Sequence, residues 1–217
     1  MIYAISDIHG NYALFKKAVN FLKEDDELIV LGDAIDRGSD GFKILREIAN
    51  NPQIQFTLGN HEDMFMKFIK DENDAELRKL YFGNGGFQTF VSYKEAPYEE
   101  RVCVDKLLMS SLYGLGLKLG GIQFFLSHAG CYENFQFPIE SRNFLWNREY
   151  YNPTHKKIPS NVIVVHGHTP MSEIYPADEL GVYNNGRTIC LDTGFNSGKL
   201  HLFCLDTLEI TVIKEDE

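Results

Sequence analysis

The sequence predicts an α/β fold of two layered sheets with helices outside them. Three observations predict it. Five short apolar runs have strand length, helix-like segments alternate with the first three, and two later pairs of apolar runs read as hairpins.

IYAI (2–5) is rich in β-formers and precedes NYALFKKAVNFLK (11–23), whose apolar residues recur at helical spacing. ELIVL (27–31) precedes DGFKILREIA (40–49), and IQFTL (54–58) precedes HEDMFMKFIK (61–70), with the same alternation. Such alternation argues for a parallel or mixed sheet with helices packed against it. Residues 71–112 form a helical insert rich in charge and aromatics. GLGLKL (114–119), Gly120-Gly121 and IQFFL (122–126) read as a hairpin, as do KLHLFCL (199–205), Asp206-Thr207 and LEITVI (208–213). These hairpins point to a second, more antiparallel sheet. NVIVV (161–165) is the remaining strand. Residues 131–160 hold Pro138, Pro153 and Pro159 among many aromatics and read as an ordered loop on the substrate side. KEDE (214–217) reads as a solvated end.

Composition narrows the function classes. With 217 residues, 44% of them hydrophobic, the chain suits a single domain over 1–217. No apolar stretch approaches the ~20 residues of a membrane span. MIYAIS lacks a basic leader, so a secretory signal is not expected. Cys103, Cys131, Cys190 and Cys204 show no zinc-ligand spacing and read as reduced thiols of a cytoplasmic protein. The net charge of −10 and the lack of clustered Lys and Arg disfavour nucleic acid as a partner.

The chemistry lies in the residues at the end of each strand. After the five runs come SDIHG (Asp7, His9), GDAIDRG (Asp33, Asp36, Arg37), GNHED (Asn60, His61), SHAG (His128) and HGHT (His166, His168). Ligands collect at the carboxyl ends of strands in open α/β sheets. Asp-Gly and Asn-His at strand ends are also ordinary turn chemistry. GDxxDRG is harder to dismiss, since its five fixed residues would arise by chance in a chain of this length with a probability of about 10⁻⁴. Mixed carboxylate, amide and imidazole groups suit borderline to hard divalent ions.

These motifs, in this order from Ser6 to Thr169, resemble the phosphoprotein phosphatase branch of the calcineurin-like metallophosphoesterases, in its compact bacterial and phage form. LWNRE (145–149) is similar to the family's later arginine motif and LDTGF (191–195) to its closing strand; Ser6 stands where many members have Gly. The resemblance implies a four-layer α/β/β/α sandwich of two mixed sheets flanked by helices. It implies two divalent metal ions, manganese first, with iron or zinc as alternatives. Asp7, His9 and Asp33 would hold one ion; Asp33, Asn60, His128 and His168 would hold the second, with Asp33 bridging. Two divalent ions against the two aspartates leave a local charge of +2, enough to draw a phosphate to an acidic protein.

Arg37 and Arg148, with Asn60, would bind the substrate phosphate. His61 would act as general acid, with Asp36 fixing its tautomer. The reaction implied is hydrolysis of phosphomonoesters by direct attack of metal-bound hydroxide, on a phosphorylated protein, peptide or small phosphoester. A serine/threonine protein phosphatase is the leading reading, because the nucleotide-cleaving branch usually lacks the aspartate at position 36. A symmetrical diadenosine tetraphosphatase or other nucleotide phosphohydrolase is the alternative. A non-catalytic binding scaffold is disfavoured because the acid histidine and the ligands are all present. No CxxxxxR loop supports a cysteine phosphatase. His166, two residues before His168, would share its strand face and support it. His155 reads as a surface residue, His201 as a core residue and Trp146 as packing. Tyr132, Phe135 and Phe137 read as core, and NGG (84–86) as a turn near the site. Metal identity, substrate and oligomeric state stay open.

Overall fold

The computed structural model describes residues 1–130, 142–148, 158–174, 181–183 and 186–215. The expected loop 131–160 lies mostly outside them, as do Cys131, Tyr132, Phe135, Phe137 and His155.

Strands β1 (Ile2–Ile5), β2 (Glu27–Leu31) and β3 (Ile54–Thr57) alternate with helices α1 (Tyr12–Phe21), α2 (Gly41–Asn50) and α3 (Asn60–Lys70). The insert is three helices: α4 (Ala75–Gly83), α5 (Phe87–Glu95) and α6 (Tyr98–Ser110). Then come β4 (Gly114–Leu119), β5 (Ile122–Ser127), a 3₁₀ turn (Arg142–Leu145), β6 (Val162–His166) and the short α7 (Met171–Ile174). The described chain closes with β7 (Val182–Tyr183), β8 (Thr188–Cys190), β9 (Lys199–Cys204) and β10 (Ile210–Lys214).

Among the described residues these strands form two five-stranded sheets, ordered β10-β9-β1-β2-β3 and β4-β5-β6-β8-β7. In the first, β1, β2 and β3 are parallel, while β9 runs antiparallel to β1 and β10 to β9. In the second, β5, β6 and β8 are parallel and the edge strands β4 and β7 are antiparallel. The fold is therefore two mixed sheets flanked by helices. One expectation is corrected: the late hairpin is not part of the second sheet. It returns to the first, where Tyr3 pairs with Cys204 and Ala4 with Phe203. Its five buried residues, Leu200 to Cys204, suit a strand covered on both faces rather than a free hairpin. Strands β7 and β8 are too short to stand out as apolar runs.

Period-two alternation explains the layers. Tyr3, Ile5, Leu28 and Val30 join a core with Phe15, Leu45 and Phe65 of the helices. Their neighbours Ala4, Ile29 and Leu31 face the other way, into a core with Phe124, Leu126, Ile163 and Val165 of the second sheet. Each large side chain so buried contributes about 1.5–3 kcal/mol. Among the described residues no helix is long and apolar enough to cross a membrane.

Candidate metal and phosphate site

The turns after β1, β2, β3, β5 and β6 meet. Backbone bonds join the first two turns, from His9 N to the Asp33 carbonyl (2.9 Å) and from Gly10 N to the Ala34 carbonyl (2.9 Å). A third joins the turns of the second sheet, from Gly167 N to the His128 carbonyl (2.8 Å). Seven non-glycine residues among those described have positive φ, and six are Asp7, His9, Asp33, Asp36, Arg37 and His168. Left-handed backbone costs an L residue about 1 kcal/mol, and such strain concentrates where surrounding structure must aim a side chain. Close approach is the other requirement. A Cβ on Gly59 would strike the Asp33 carboxylate, and one on Gly167 would strike that of Asp7.

The imidazoles are aimed with fixed tautomers. His9 Nδ1 donates to the Ile35 carbonyl and His128 Nδ1 to the Leu31 carbonyl, both at 3.0 Å. Burial holds both rings well below the ordinary histidine range, so they are neutral. Each Nε2 is then a lone pair. That of His9 faces Asp33 Oδ2 at 3.6 Å. That of His128 lies 2.8 Å from Asn60 Oδ1, 3.2 Å from His168 Nδ1 and 3.4 Å from Asp33 Oδ1. His168 Nδ1 is also 3.0 Å from Asn60 Oδ1, and burial lowers its ring to about 3. The His128 lone pair thus faces the oxygens of Asn60 and Asp33, acceptor against acceptor in a buried space, an arrangement that is costly alone and natural around a cation.

Carboxylates show the same need. Burial pushes Asp7 and Asp33 well above the carboxylate range, reinforced by repulsion from Asp192 on Asp7 and from Asp7 on Asp33. A divalent ion would reverse that shift. Among the described residues, two candidate groups have ligand atoms close enough to share an ion: His9–Asp33–His61 and Asp7–Asp33–His128. Asp33 belongs to both, its Oδ2 facing His9 and its Oδ1 facing His128. This grouping differs from the expected Asp7–His9–Asp33 set. The Asp7 carboxylate is turned towards the second sheet, where it accepts from His168 N at 3.0 Å, and it also accepts from its neighbour Ser6 Oγ at 2.5 Å.

Beside the ligands, His61 Nδ1 lies 2.7 Å from Asp36 Oδ2, both fully buried. Arg37 Nη2 is 3.3 Å from His61 Nε2, and the Arg37 residue itself is exposed. A guanidinium only donates, so His61 Nε2 accepts and its Nδ1 carries the proton to Asp36. Arg148 is less closely held. Its side chain is 53% exposed, and Nη1 lies 3.9 Å from Glu173 Oε2. It still lies near enough to His168 to lower that ring's proton affinity. Trp146 is half-exposed, its ring edge-on to His168 at 5.9 Å. His166 ends β6, and His168 adopts φ 72°, so the strand alternation expected to align them stops between them. His166 Nδ1 donates to the Gly167 carbonyl at 2.9 Å.

Sequence reasoning missed two residues. Glu62 accepts from the backbone N–H of Asp33 (2.8 Å), Ala34 (2.9 Å) and Gly59 (2.8 Å), stapling the β2 turn to the start of α3. Its signal was present: a glutamate three residues after the helix N-cap is half of a capping box. Asp192, two residues after β8, is buried against Asp7. Burial raises it to about 6.

A family model described as calcineurin-like phosphoesterase matches residues 1–201. The chain belongs to the calcineurin-like phosphoesterases. Among relatives of this phosphoesterase is serine/threonine-protein phosphatase 2 of Salmonella typhimurium, 35% identical over 112 residues, 50% of this chain and 47% of that one. Another is the symmetrical bis(5'-nucleosyl)-tetraphosphatase of Wigglesworthia glossinidia brevipalpis, 39% identical over 83 residues, 36% of this chain and 30% of that one. The matches thus span about half the length of these curated relatives, or less. A crystal structure assigned as a candidate diadenosine tetraphosphatase superposes with a TM-score of 0.69 over 100% of this phosphoesterase and 94% of that chain, at 19% identity. At that identity the likeness speaks for the fold.

Proposed function

We propose that this phosphoesterase is a dinuclear metal-dependent phosphatase acting on phosphomonoesters, with phosphorylated serine or threonine in proteins as the substrate class. The observation that carries the reading is the buried His61–Asp36 pair at 2.7 Å, set beside the converging lone pairs and next to Arg37. His9, Asp7, Asp33, Asn60, His128 and His168 would hold two divalent ions, with manganese the first candidate for a donor set of oxygen and imidazole nitrogen. When bound, the ions would supply Lewis acidity at the phosphoryl group and a nucleophile at neutral pH.

The chain's own residues do the rest. Arg37 offers its planar fork to two phosphate oxygens, and Arg148 adds a second guanidinium from beside His168. Once Nε2 has taken up a proton, His61 delivers it to the departing alkoxide and returns to the neutral ring described above, with Nδ1–H still on Asp36. Asp36 keeps the other ring proton on Nδ1 and stabilises the imidazolium. Glu62 keeps the β2 turn and the α3 start in register, so that Asp33 and Asn60 present their oxygens together.

The second reading is symmetrical cleavage of diadenosine tetraphosphate, favoured by the relatives so named. Asp36 favours the first, because an alkoxide leaving group requires a proton and a nucleoside diphosphate leaving group does not. Assaying a phosphothreonine peptide beside diadenosine tetraphosphate, with manganese present, separates the two. A preference of orders of magnitude for the dinucleotide would overturn the first.

A further inference from the structure

We propose that Tyr81 is a positioning residue for proton delivery, its phenol donating to the Asp36 carboxylate and thereby holding the Asp36–His61 pair in line. The inference rests on the reading of His61 as the general acid and deepens it.

The geometry is specific. Asp36 is fully buried and uses its two oxygens separately, Oδ2 towards His61 Nδ1 at 2.7 Å and Oδ1 towards Tyr81 Oη at 2.9 Å. A carboxylate can only accept, so the phenol donates. Tyr81 is itself fully buried, which pushes its proton affinity up and keeps it a donor throughout any workable pH range. Tyr81 lies on α4, and α5 and the turn between these helices grip the rest of the β2 turn. Asp36 N donates to Thr89 Oγ1 at 3.0 Å, and the Thr89 hydroxyl also meets the Tyr81 oxygen. Arg37 N donates to the Gly85 carbonyl at 3.1 Å. The phenol ring is wedged between Phe65 and Phe68, with centroids 5.8 and 5.5 Å away. On a third side, a Cβ on Gly86 would collide with it.

Packing alone would be met equally well by phenylalanine. The hydroxyl is what phenylalanine lacks, and its partner is the oxygen of Asp36 that His61 does not use. A buried carboxylate with one oxygen unpaired is costly and free to turn about its own axis. Turning would carry Oδ2 out of line with Nδ1–H and withdraw the support that the imidazolium needs until its Nε2 proton is given up. A donor on Oδ1 prevents this, and in a low-dielectric interior such linked bonds reinforce one another. The helical insert is thus part of the proton-delivery machinery as well as a wall beside the site.

The test uses phenyl phosphate and p-nitrophenyl phosphate, substrates of one shape whose leaving groups differ in basicity. Tyr81→Phe, His61→Ala and the double variant are assayed with manganese. Losing a hydrogen bond to a charged group should cut kcat for phenyl phosphate about ten-fold in Tyr81→Phe. KM should hold within about two-fold and the p-nitrophenyl rate should fall less. In the His61→Ala background the further change Tyr81→Phe should have no effect on the phenyl phosphate rate. Equal losses on both substrates, or independent losses in the double variant, would overturn the proposal, because a structural defect spares neither. If His61→Ala discriminates between the substrates and Tyr81→Phe does not, the Tyr81 role fails alone. If His61→Ala itself does not discriminate, the general-acid reading fails and this one with it. Should Tyr81→Phe not fold, 3-fluorotyrosine at position 81 keeps ring and hydroxyl while altering donor strength. A changed ratio of the two rates then supports the role, and an unchanged ratio overturns it.

Discussion

At the scale of single residues, the site depends on which atom of each side chain is free. His61 has Nδ1 committed to Asp36 and Nε2 beside Arg37, and under the proposed function it is Nε2 that would meet the leaving group. His61→Ala should therefore reduce turnover of alkyl phosphoesters by about 10²–10⁴-fold. Turnover of p-nitrophenyl phosphate should fall far less, since nitrophenolate departs without a proton; steady-state assays on both substrates check this. Glu62 supplies the other argument at this scale. Three backbone N–H groups converge on its carboxylate. Glutamine in its place keeps the shape but offers one acceptor oxygen and turns an NH₂ towards a donor. Glu62→Gln should weaken manganese binding by about 10–100-fold, as changes behind metal ligands commonly do. Titration calorimetry measures it, and unchanged affinity would mean that Glu62 caps α3 and nothing more.

Among the elements, β6 offers a measurable pH dependence. His166 closes that strand fully buried, and burial lowers its ring from 6.5 to about 4. In the unfolded chain the ring takes up its proton near 6.5, and in the folded one only near 4. Between those values the unfolded state holds more protons, so this contribution to stability is present above 6.5 and lost as pH falls towards 4. Asn at this position places an amide N–H where Nδ1–H stands and does not titrate. His166→Asn should gain about 2 to 3 kcal/mol on the wild type between roughly pH 7.5 and pH 4.5, read by urea unfolding with chelator present. Elements also show where the sequence was legible. The runs ELIVL and IYAI became strands at their expected bounds because both faces of each are buried, and unbroken apolar character survives any packing. The late hairpin was visible, yet its address was not, since a strand's neighbour depends on a long-range pairing such as Tyr3 with Cys204. Asp192 went unread for a related reason: the three residues of β8 leave no periodic pattern to point at it. Tyr81 lies on α4, where an aromatic reads as packing until Asp36 appears against its hydroxyl.

For the whole molecule, the balance of charge decides. Asp7, Asp33 and Asp192 are buried together in a chain of net charge −10, and each is raised by its burial. Removing bound cations should therefore destabilise the fold as well as stop turnover. At a hundred times the dissociation constant, each site filled adds about 2.7 kcal/mol to stability. Thermal unfolding with manganese and then with chelator should show Tm rise and fall accordingly; a Tm indifferent to both would remove the case for a cation cage. The motifs Asp-x-His, Gly-Asp-x-x-Asp-Arg-Gly and Gly-Asn-His-Glu made the convergence of these side chains legible at the start, because each supplies both a polar side chain and a turn. The direction in which Asp7 turns, towards His168 N, was not legible, since it depends on how the two sheets pack. One backbone oxygen binds these scales together. The Leu31 carbonyl, at the end of a strand in one sheet, receives Ser6 Oγ from its own sheet and His128 Nδ1 from the other, each at 3.0 Å. It works as a detent between the two layers. Were one layer to slip by an atom's width over its neighbour, the His128 ring would lose the bond that keeps its other nitrogen bare, so mechanical looseness and loss of chemistry would arrive as one event.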